Sequence, residues 1–297
     1  MPSSPSAPLM KHLLQFNPSP APSLLLREEG RAESLELSGE RYLSFSPGRA
    51  CIGYKSDEGW HACANRALNV KQCPTCQYRD VARVYTVGDF TLYPHLHDEL
   101  SSEKYVLYLA QFGSDITKLG LTRRSRLHER WREQGADLAA ALLEFDGPDD
   151  AYGAEILLQE KYGLANAVRA NQKLSRLHFD KAKARAKLES MLARMREDAA
   201  LSSYLADGPI TDLSSHYPSV SNPEAVDFIG GRVMGTKGAW LFFEGPSGMS
   251  YAVNLHAQVG RFLLPQTGGG RDSSSPQSVL YLSDRPSSFN AGPHSIL

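Results

Sequence analysis

The chain has 297 residues, of which 41% are hydrophobic and 22% are charged. This composition is typical of a globular protein and excludes a wholly disordered or fibrous chain. The formal charge is only -1, because 32 basic residues balance 33 acidic ones, so any surface that binds nucleic acid must be a local feature.

Hydropathy and length predict a soluble, cytoplasmic protein with more than one module. No stretch approaches the roughly 18 consecutive apolar residues that a membrane-spanning helix needs, so we expect no membrane association. The length favours two or three domains in an α+β fold. We predict a flexible tail over 1–30, a β hairpin and cysteine-rich region over 31–102, an α/β module over 103–204, a small β domain over 205–265 and a flexible tail over 266–297.

Apolar periodicity predicts the elements in chain order. Alternation over 33–47 predicts a β hairpin, and the runs YVLYLA and KLGLT at 105–110 and 118–122 predict two adjacent strands. A helix is predicted from the spacing of Leu127, Trp131, Leu138 and Leu142. Two further helices are predicted over 149–164 and about 174–200, followed by strands from 225 to 265.

All four cysteines fall within 26 residues, at Cys51, Cys63, Cys73 and Cys76. The two-residue gap between the last pair lets both thiolates reach one ion, and four cysteines are a usual ligand set of structural zinc. This pattern predicts a Zn²⁺ site that stabilises the fold and has no open position for chemistry. Two disulfides, free thiols or an iron–sulfur cluster remain as alternatives.

The order of polar residues in the central region resembles that of the GIY-YIG nuclease superfamily. In that superfamily two motifs on neighbouring strands precede an arginine on the next helix and a glutamate on a later one. Here Tyr108 lies in YVLY, Lys118 begins KLG, Arg130 lies in a basic helix and Glu155 follows in the next helix. Lys118 is a departure, since tyrosine is more usual at that position.

Four longer strings stand out: CIGY at 51–54, KLGLTRR at 118–124, ERWREQGA at 129–136 and YGAE at 152–155. They are similar to strings of the DUF2797 family, a family without an assigned activity. The resemblance covers residues from about 30 to 264. The two resemblances together imply a β-rich, zinc-bound N-terminal part, a central GIY-YIG-like α/β module and a small C-terminal β domain.

The central residues supply the groups that phosphodiester hydrolysis requires. Glu155 is predicted to bind Mg²⁺ or Mn²⁺, Arg130 or Arg126 to hold the phosphate, and Tyr108 with Lys118 to handle the attacking water. Each of them alone fits a structural role equally well, as a core tyrosine or a solvated helix residue. Only their joint order favours catalysis.

A local excess of positive charge predicts a surface for DNA or RNA. Ten basic residues against two acidic ones lie between Lys161 and Arg196. The residues predicted to contact phosphates are Arg123, Arg124, Arg126, Lys173, Arg176 and Lys183. A hydrated helix face is the alternative interpretation.

The sequence therefore predicts a protein that binds nucleic acid and could cleave it with a divalent metal ion. Two alternatives stay open. The first is a catalytically inactive nucleic-acid-binding module. The second is a zinc-stabilised scaffold for protein interactions.

Overall fold

Two sheets, of nine and four strands, organise residues 10–265, the part of the chain that the computed structural model describes. The fold is a mixed α+β arrangement. The strands are β1 His12–Asn17, β2 Ser23–Glu28, β3 Arg31–Glu36, β4 Glu40–Arg49, β5 Tyr54–Lys55, β6 Trp60–His61, β7 Lys104–Phe112, β8 Ile116–Arg123, β9 Leu138–Asp146, β10 Thr211–Asp212, β11 Glu224–Val226, β12 Phe228–Lys237, β13 Trp240–Glu244, β14 Ser250–Asn254 and β15 Arg261–Leu263. The helices are α1 Pro74–Arg79, α2 Ala82–Val87, α3 Pro94–Ser101, α4 Leu127–Gln134, α5 Asp149–Tyr162, α6 Ala170–Leu174, α7 Lys181–Arg196 and α8 Leu255–Gln258.

The nine-stranded sheet combines both ends of the described chain, in the order β11-β14-β13-β12-β4-β15-β1-β2-β3. Its core contains residues from β1, such as Leu13 and Phe16, together with Leu241 and Phe243 from β13. The predicted separate β domain over 205–265 is therefore wrong. Strands β11 to β15 share one sheet and one core with the N-terminal strands.

The prediction of a flexible tail over 1–30 is wrong for residues 12–28, which form β1 and β2. The prolines and serines around these strands suggested a tail, but the segment also contains short apolar runs. Leu13, Leu14 and Leu24 of these runs are at most 1% exposed. β1 pairs with β2 along one edge and with β15 along the other. Residues 1–9 and the predicted tail over 266–297 lie outside the described residues.

The predicted hairpin over 33–47 has the correct strands but the wrong pairing. β3 pairs with β2, whereas β4 lies between β12 and β15. Local alternation specifies a strand and a buried face but not its neighbour, because long-range pairing decides which edges are available.

The four-stranded sheet has the order β10-β9-β7-β8 and is antiparallel throughout. The predicted adjacency of the strands at 105–110 and 118–122 is confirmed by the pairing of β7 with β8. Helices α5 and α7 pack on one face of the sheet, and α4 packs on the other.

The first predicted helix is correct only for its first half. Helix α4 ends at Gln134, because Gly135 adopts the left-handed C-cap conformation with φ of 71°. Leu138 and Leu142 lie instead in β9 and are buried, since this strand is covered on both faces. The predicted helix over about 174–200 is shorter, as α7 with Asp180 as its N-cap.

The cysteine-rich segment forms a small lobe of its own elements. The two-stranded ribbon β5–β6 precedes α1, α2 and α3, and a minor core contains Val81, Val84, Leu96 and Leu100.

None of the helices between residues 10 and 265 combines the length and the apolar character that a membrane span requires.

Candidate functional site

The four cysteines converge on one point, as their spacing predicts. The four Sγ atoms all lie within 4.8 Å of one another, in a cluster that could hold a metal ion. Cys73 is the N-cap of α1 and Cys76 lies in its first turn, while Cys51 follows β4 and Cys63 follows β6. All four are free thiols, so the disulfide alternative is not realised.

Backbone N–H groups around the cysteine cluster donate hydrogen bonds to its sulfur atoms. The Cys51 Sγ accepts hydrogen bonds from the Cys73 and Gly53 backbone N–H groups, at 3.2 and 3.4 Å. The backbone N–H of Cys76 holds the pKa of the Cys73 thiol below its usual value, at about 7. Amide donors of this kind stabilise thiolates, the form of cysteine that binds metals.

Tyr108 lies in the middle of β7, on the face that α4 covers. Its side chain is 0% exposed, and its hydroxyl group has no hydrogen-bond partner. The ring packs edge-on against Trp131 with centroids 6.1 Å apart. On β8, Gly120 lies directly opposite, and a Cβ atom there would be 2.6 Å from the tyrosine hydroxyl.

Glu155, Lys118, Arg130 and this tyrosine influence one another electrostatically. Burial raises the pKa of Glu155, and the charges of Lys118 and Arg130 together with the Leu121 backbone N–H oppose that rise. Burial lowers the pKa of Lys118, and the positive charge of Arg130 lowers it further. The negative charge of Glu155 raises it. One carboxylate and two cations therefore share a single partly buried environment.

The charges of Arg130 and Glu155 also act on Tyr108. Burial raises its pKa to about 12, and the charges of Arg130 and Glu155 modify that value in opposite directions. The fold thus brings together four residues that are distant in sequence, from β7, β8, α4 and α5. We call these four residues the central site. The Arg130 Nη1 atom also contacts the Glu133 carboxylate at 3.3 Å.

All four arginines predicted to contact nucleic acid are paired with carboxylates. Each of the following pairs lies within 3.6 Å: Arg123 with Glu103, Arg124 with Glu144, Arg126 with Glu129 and Glu133, and Arg176 with Asp115. These carboxylates reduce the positive field that the sequence predicts for the surface. Lys183 is exposed on α7.

Lys173 lies in α6 and contacts the end of α4. Its Nζ donates a hydrogen bond of 2.6 Å to the Gln134 carbonyl, at the C-terminal end of the helix that carries Arg130. Burial and the positive charges of Lys118 and Arg130 lower its pKa to about 8.

The charges of this region also act on one residue that the sequence analysis did not single out. His256, at the start of α8, is influenced by the charges of Lys71, Lys173 and Arg130. Sequence signals could not have found it, because His256 lies more than a hundred residues from Arg130 and in a part of the chain predicted to be a separate domain.

The family comparison matches the strings that carry the resemblance. The family model described as "Protein of unknown function (DUF2797)" matches residues 42–260, which is most of the chain. The chain belongs to the DUF2797 family. The matched range of this DUF2797 chain contains the four cysteines and the central site. Neither a curated protein nor a solved structure matches the chain, so the resemblance to the GIY-YIG superfamily stays a prediction.

Proposed function

We propose that this protein binds nucleic acid and hydrolyses a phosphodiester bond in it with a divalent metal ion at the central site. The observation that supports this proposal is the convergence of Glu155 with Lys118 and Arg130 in one partly buried environment. A carboxylate is a ligand that Mg²⁺ and Mn²⁺ accept, and the Arg130 guanidinium complements a phosphate group.

Each residue of the central site would have a distinct role. Glu155 would hold Mg²⁺ or Mn²⁺, which supplies Lewis-acid activation of the phosphate. Arg130 would donate hydrogen bonds to the non-bridging phosphate oxygens, where negative charge grows in the transition state. Its partial pairing with Glu133 keeps the guanidinium oriented.

Lys118 is better suited than Tyr108 to move a proton from water. Its pKa is lowered by burial, so a neutral amine is more accessible near neutral pH, whereas burial raises the pKa of Tyr108. A general base works best with a pKa near the working pH. We therefore assign the base to Lys118 and a positioning role to Tyr108.

The order of elements supports the superfamily resemblance on which these roles depend. Two paired strands carry Tyr108 and Lys118, the next helix carries Arg130, and the helix after β9 carries Glu155. This is the order in which the superfamily arranges its tyrosine, arginine and glutamate.

We also propose that the cysteine cluster holds Zn²⁺ as a structural ion. The Sγ atoms of Cys63 and Cys73 are 3.7 Å apart. Two thiolates at about 2.3 Å from one tetrahedral zinc ion would lie roughly 3.8 Å apart. Four thiolates close the coordination sphere, so this ion would stabilise the lobe without taking part in the reaction.

A catalytically inactive nucleic-acid-binding module is the second candidate. The complete burial of Tyr108, whose hydroxyl group faces Gly120, favours it, because a buried hydroxyl does not reach a solvent-borne substrate. Glu155 and the basic residues would then bind a nucleic acid that is never cleaved. The scaffold alternative has weaker support, from the exposed Ile156 and Leu157 on α5.

Cleavage assays with matched glutamate variants test the proposal. Wild-type protein is incubated with plasmid DNA, branched DNA and structured RNA in Mg²⁺ or Mn²⁺. Glu155→Gln is expected to reduce cleavage at least about 100-fold. Glu160→Gln, one turn further along α5 and exposed, should cleave normally.

The melting temperatures of both variants are measured to separate catalysis from folding. Loss of cleavage in Glu155→Gln with an unchanged melting temperature supports hydrolysis at this site. Nucleic-acid binding without cleavage of any substrate by the wild type would overturn the hydrolase and leave the binding module. Absence of both activities would overturn both candidates.

A further inference from the structure

Basic and acidic residues alternate along one face of α4. Arg126 is the N-cap of this helix, and Glu129, Arg130 and Glu133 follow three, four and seven residues later, spacings that place all four on the same side of the helix. Arg130 also belongs to the central site. The charged face of α4 therefore includes a residue proposed to act on the phosphate.

Glu133 contacts both arginines through separate oxygen atoms. Its Oε1 atom accepts a hydrogen bond of 2.7 Å from Arg126 Nη2, and its Oε2 atom accepts one of 3.3 Å from Arg130 Nη1. The Arg126 Nε atom donates to the Glu129 carboxylate at 3.2 Å. The Glu133 carboxylate thus lies between two guanidinium groups, in the position that a single anion must take to contact both.

The Glu133 side chain lies deeper than the two arginines that it contacts. It is 19% exposed, whereas the side chains of Arg126 and Arg130 are 40% and 41% exposed. Both guanidinium groups therefore belong to side chains that a ligand can reach from solvent.

Helix stability does not account for the positions of Arg126 and Glu133. The helix dipole favours acidic residues in the first turn and basic residues in the last, a preference that Glu129 and Arg132 follow. Arg126 at the start of α4 and Glu133 near its end oppose this preference. Charges placed against local stability are expected where the residues have a functional role.

We propose that Arg126 and Arg130 together bind one phosphate group of the nucleic acid, and that Glu133 occupies the place of this phosphate until the substrate binds. This inference deepens the proposed function and rests on it for the identity of the ligand. Guanidinium groups commonly form bidentate pairs with phosphate. Ion pairs as exposed as these contribute little to stability, so a phosphate that the rest of the nucleic acid brings to the site can displace the carboxylate.

Inorganic phosphate is a probe of this site that does not depend on cleavage. The arginine Nε–H signals of the full-length protein are followed by NMR while phosphate replaces chloride at constant ionic strength. Arg126→Lys and Arg130→Lys assign the two signals. We expect both signals to shift with the same midpoint, because one anion contacts both groups. A shift of only one signal, or of neither, would overturn the shared site.

Glu133→Gln keeps the shape of the side chain and removes its charge. It should lower the midpoint of the phosphate titration, and the Kd of an oligonucleotide measured without divalent metal, by about fivefold or more. The reason is that the arginines no longer have to leave a carboxylate before they bind the ligand.

Glu129→Gln is the matched control for this variant. It removes the same charge from the same helix face, but Glu129 contacts one of the two arginines and does not lie between them. It should change both affinities by about twofold or less. Equal effects of the two variants, or weaker binding by Glu133→Gln, would overturn the displacement.

A double-mutant cycle tests whether Arg126 shares the ligand with Arg130. In the Arg126→Gln background, Glu133→Gln should tighten oligonucleotide binding by less than it does in the wild type, because one of the two released groups is gone. An undiminished gain would overturn the joint role of Arg126. Melting temperatures show that each variant is folded.

The two hypotheses fail in different ways. Tighter binding by Glu133→Gln than by Glu129→Gln, without cleavage by the wild type, would retain the phosphate site and overturn hydrolysis. Cleavage that Glu155→Gln abolishes, with equal affinities of Glu133→Gln and the wild type, would retain hydrolysis and overturn the phosphate site.

Discussion

At the scale of single residues, Gly120 explains how a bulky tyrosine fits into the centre of the sheet. It lies opposite Tyr108 on β8, and the tyrosine ring occupies the space that a side chain would need. The glycine of the KLG string therefore has a packing role beyond any role in the resemblance. Strand glycines commonly mark such close approaches.

Gly120→Ala should destabilise the protein by about 2 kcal/mol or more, because its methyl group would overlap the Tyr108 ring. The control Gly153→Ala lies within α5, where an added Cβ meets nothing within 4 Å. It should raise the free energy of unfolding by about 0.5–1 kcal/mol through helix propensity. Denaturant unfolding measures both. Equal stability of Gly120→Ala and the wild type would contradict the packing argument.

Lys173 makes stability depend on pH above neutrality. Its pKa is lowered to about 8 in the folded protein, against about 10.4 in an unfolded chain. The native state therefore binds fewer protons between these values, and the contribution of Lys173 to stability rises with pH across that window. Below pH 8 the cost of the buried charge is constant.

We expect Lys173→Met to flatten the pH dependence of unfolding between about pH 8 and 10, by at most about 1.4 kcal/mol per pH unit. Lys183→Met, which removes an exposed lysine from α7, is the matched control and should keep the wild-type slope. Urea unfolding at several pH values gives the slopes. A Lys173→Met slope equal to that of the wild type would refute the effect.

At the scale of elements, the cysteine lobe has little core to stabilise it. Its minor core is made chiefly of four buried apolar residues, and α1 has only six residues. Helices this short are unstable alone, so their position must come from tertiary contacts or a bound ion. The cysteine cluster could hold such an ion.

Cys76→Ser should abolish binding of about one zinc ion per chain and lower the melting temperature by more than about 5 °C. Thr75→Ala changes the neighbouring exposed position of α1 and should retain the metal. Elemental analysis and thermal unfolding of freshly purified protein measure the two effects. Full zinc content in Cys76→Ser, or none in the wild type, would contradict the assignment.

At the scale of the whole molecule, a buried ion pair joins the two sheets. Lys237 at the end of β12 pairs with Asp137, which precedes β9, and both side chains are at most 7% exposed. The other Asp137 oxygen accepts the Gly113 backbone N–H at 2.8 Å. The Trp240 indole adds a hydrogen bond of 2.8 Å to the Ala170 carbonyl. The Lys237–Asp137 pair thus links β12 of the nine-stranded sheet to the residue before β9 of the four-stranded sheet.

Lys237→Ala should destabilise the protein by about 3–5 kcal/mol, because it leaves the Asp137 carboxylate buried and unpaired. Arg232→Ala breaks an ion pair with Glu244 on the same strand β12, where the arginine side chain is 60% exposed. It should cost less than about 1 kcal/mol. Chemical denaturation compares them, and similar losses in both variants would show that the buried pair has no special role.

The sequence by itself determined the features that depend on neighbouring residues. The cysteine cluster, the paired strands β7 and β8, helix α5 and the family membership all follow from local spacing, periodicity or short strings. The set of residues at the central site was also predictable, because their order along the chain carries the resemblance. Their roles in catalysis stay predictions.

Only the tertiary structure decided which distant segments meet. It placed the Pro- and Ser-rich N-terminal strands in one sheet with the C-terminal strands, and it turned Leu138 and Leu142 into a buried strand. It also paired the surface arginines with carboxylates. The physical reason is that hydrophobic burial and charge pairing depend on distance in space, which local sequence patterns do not encode.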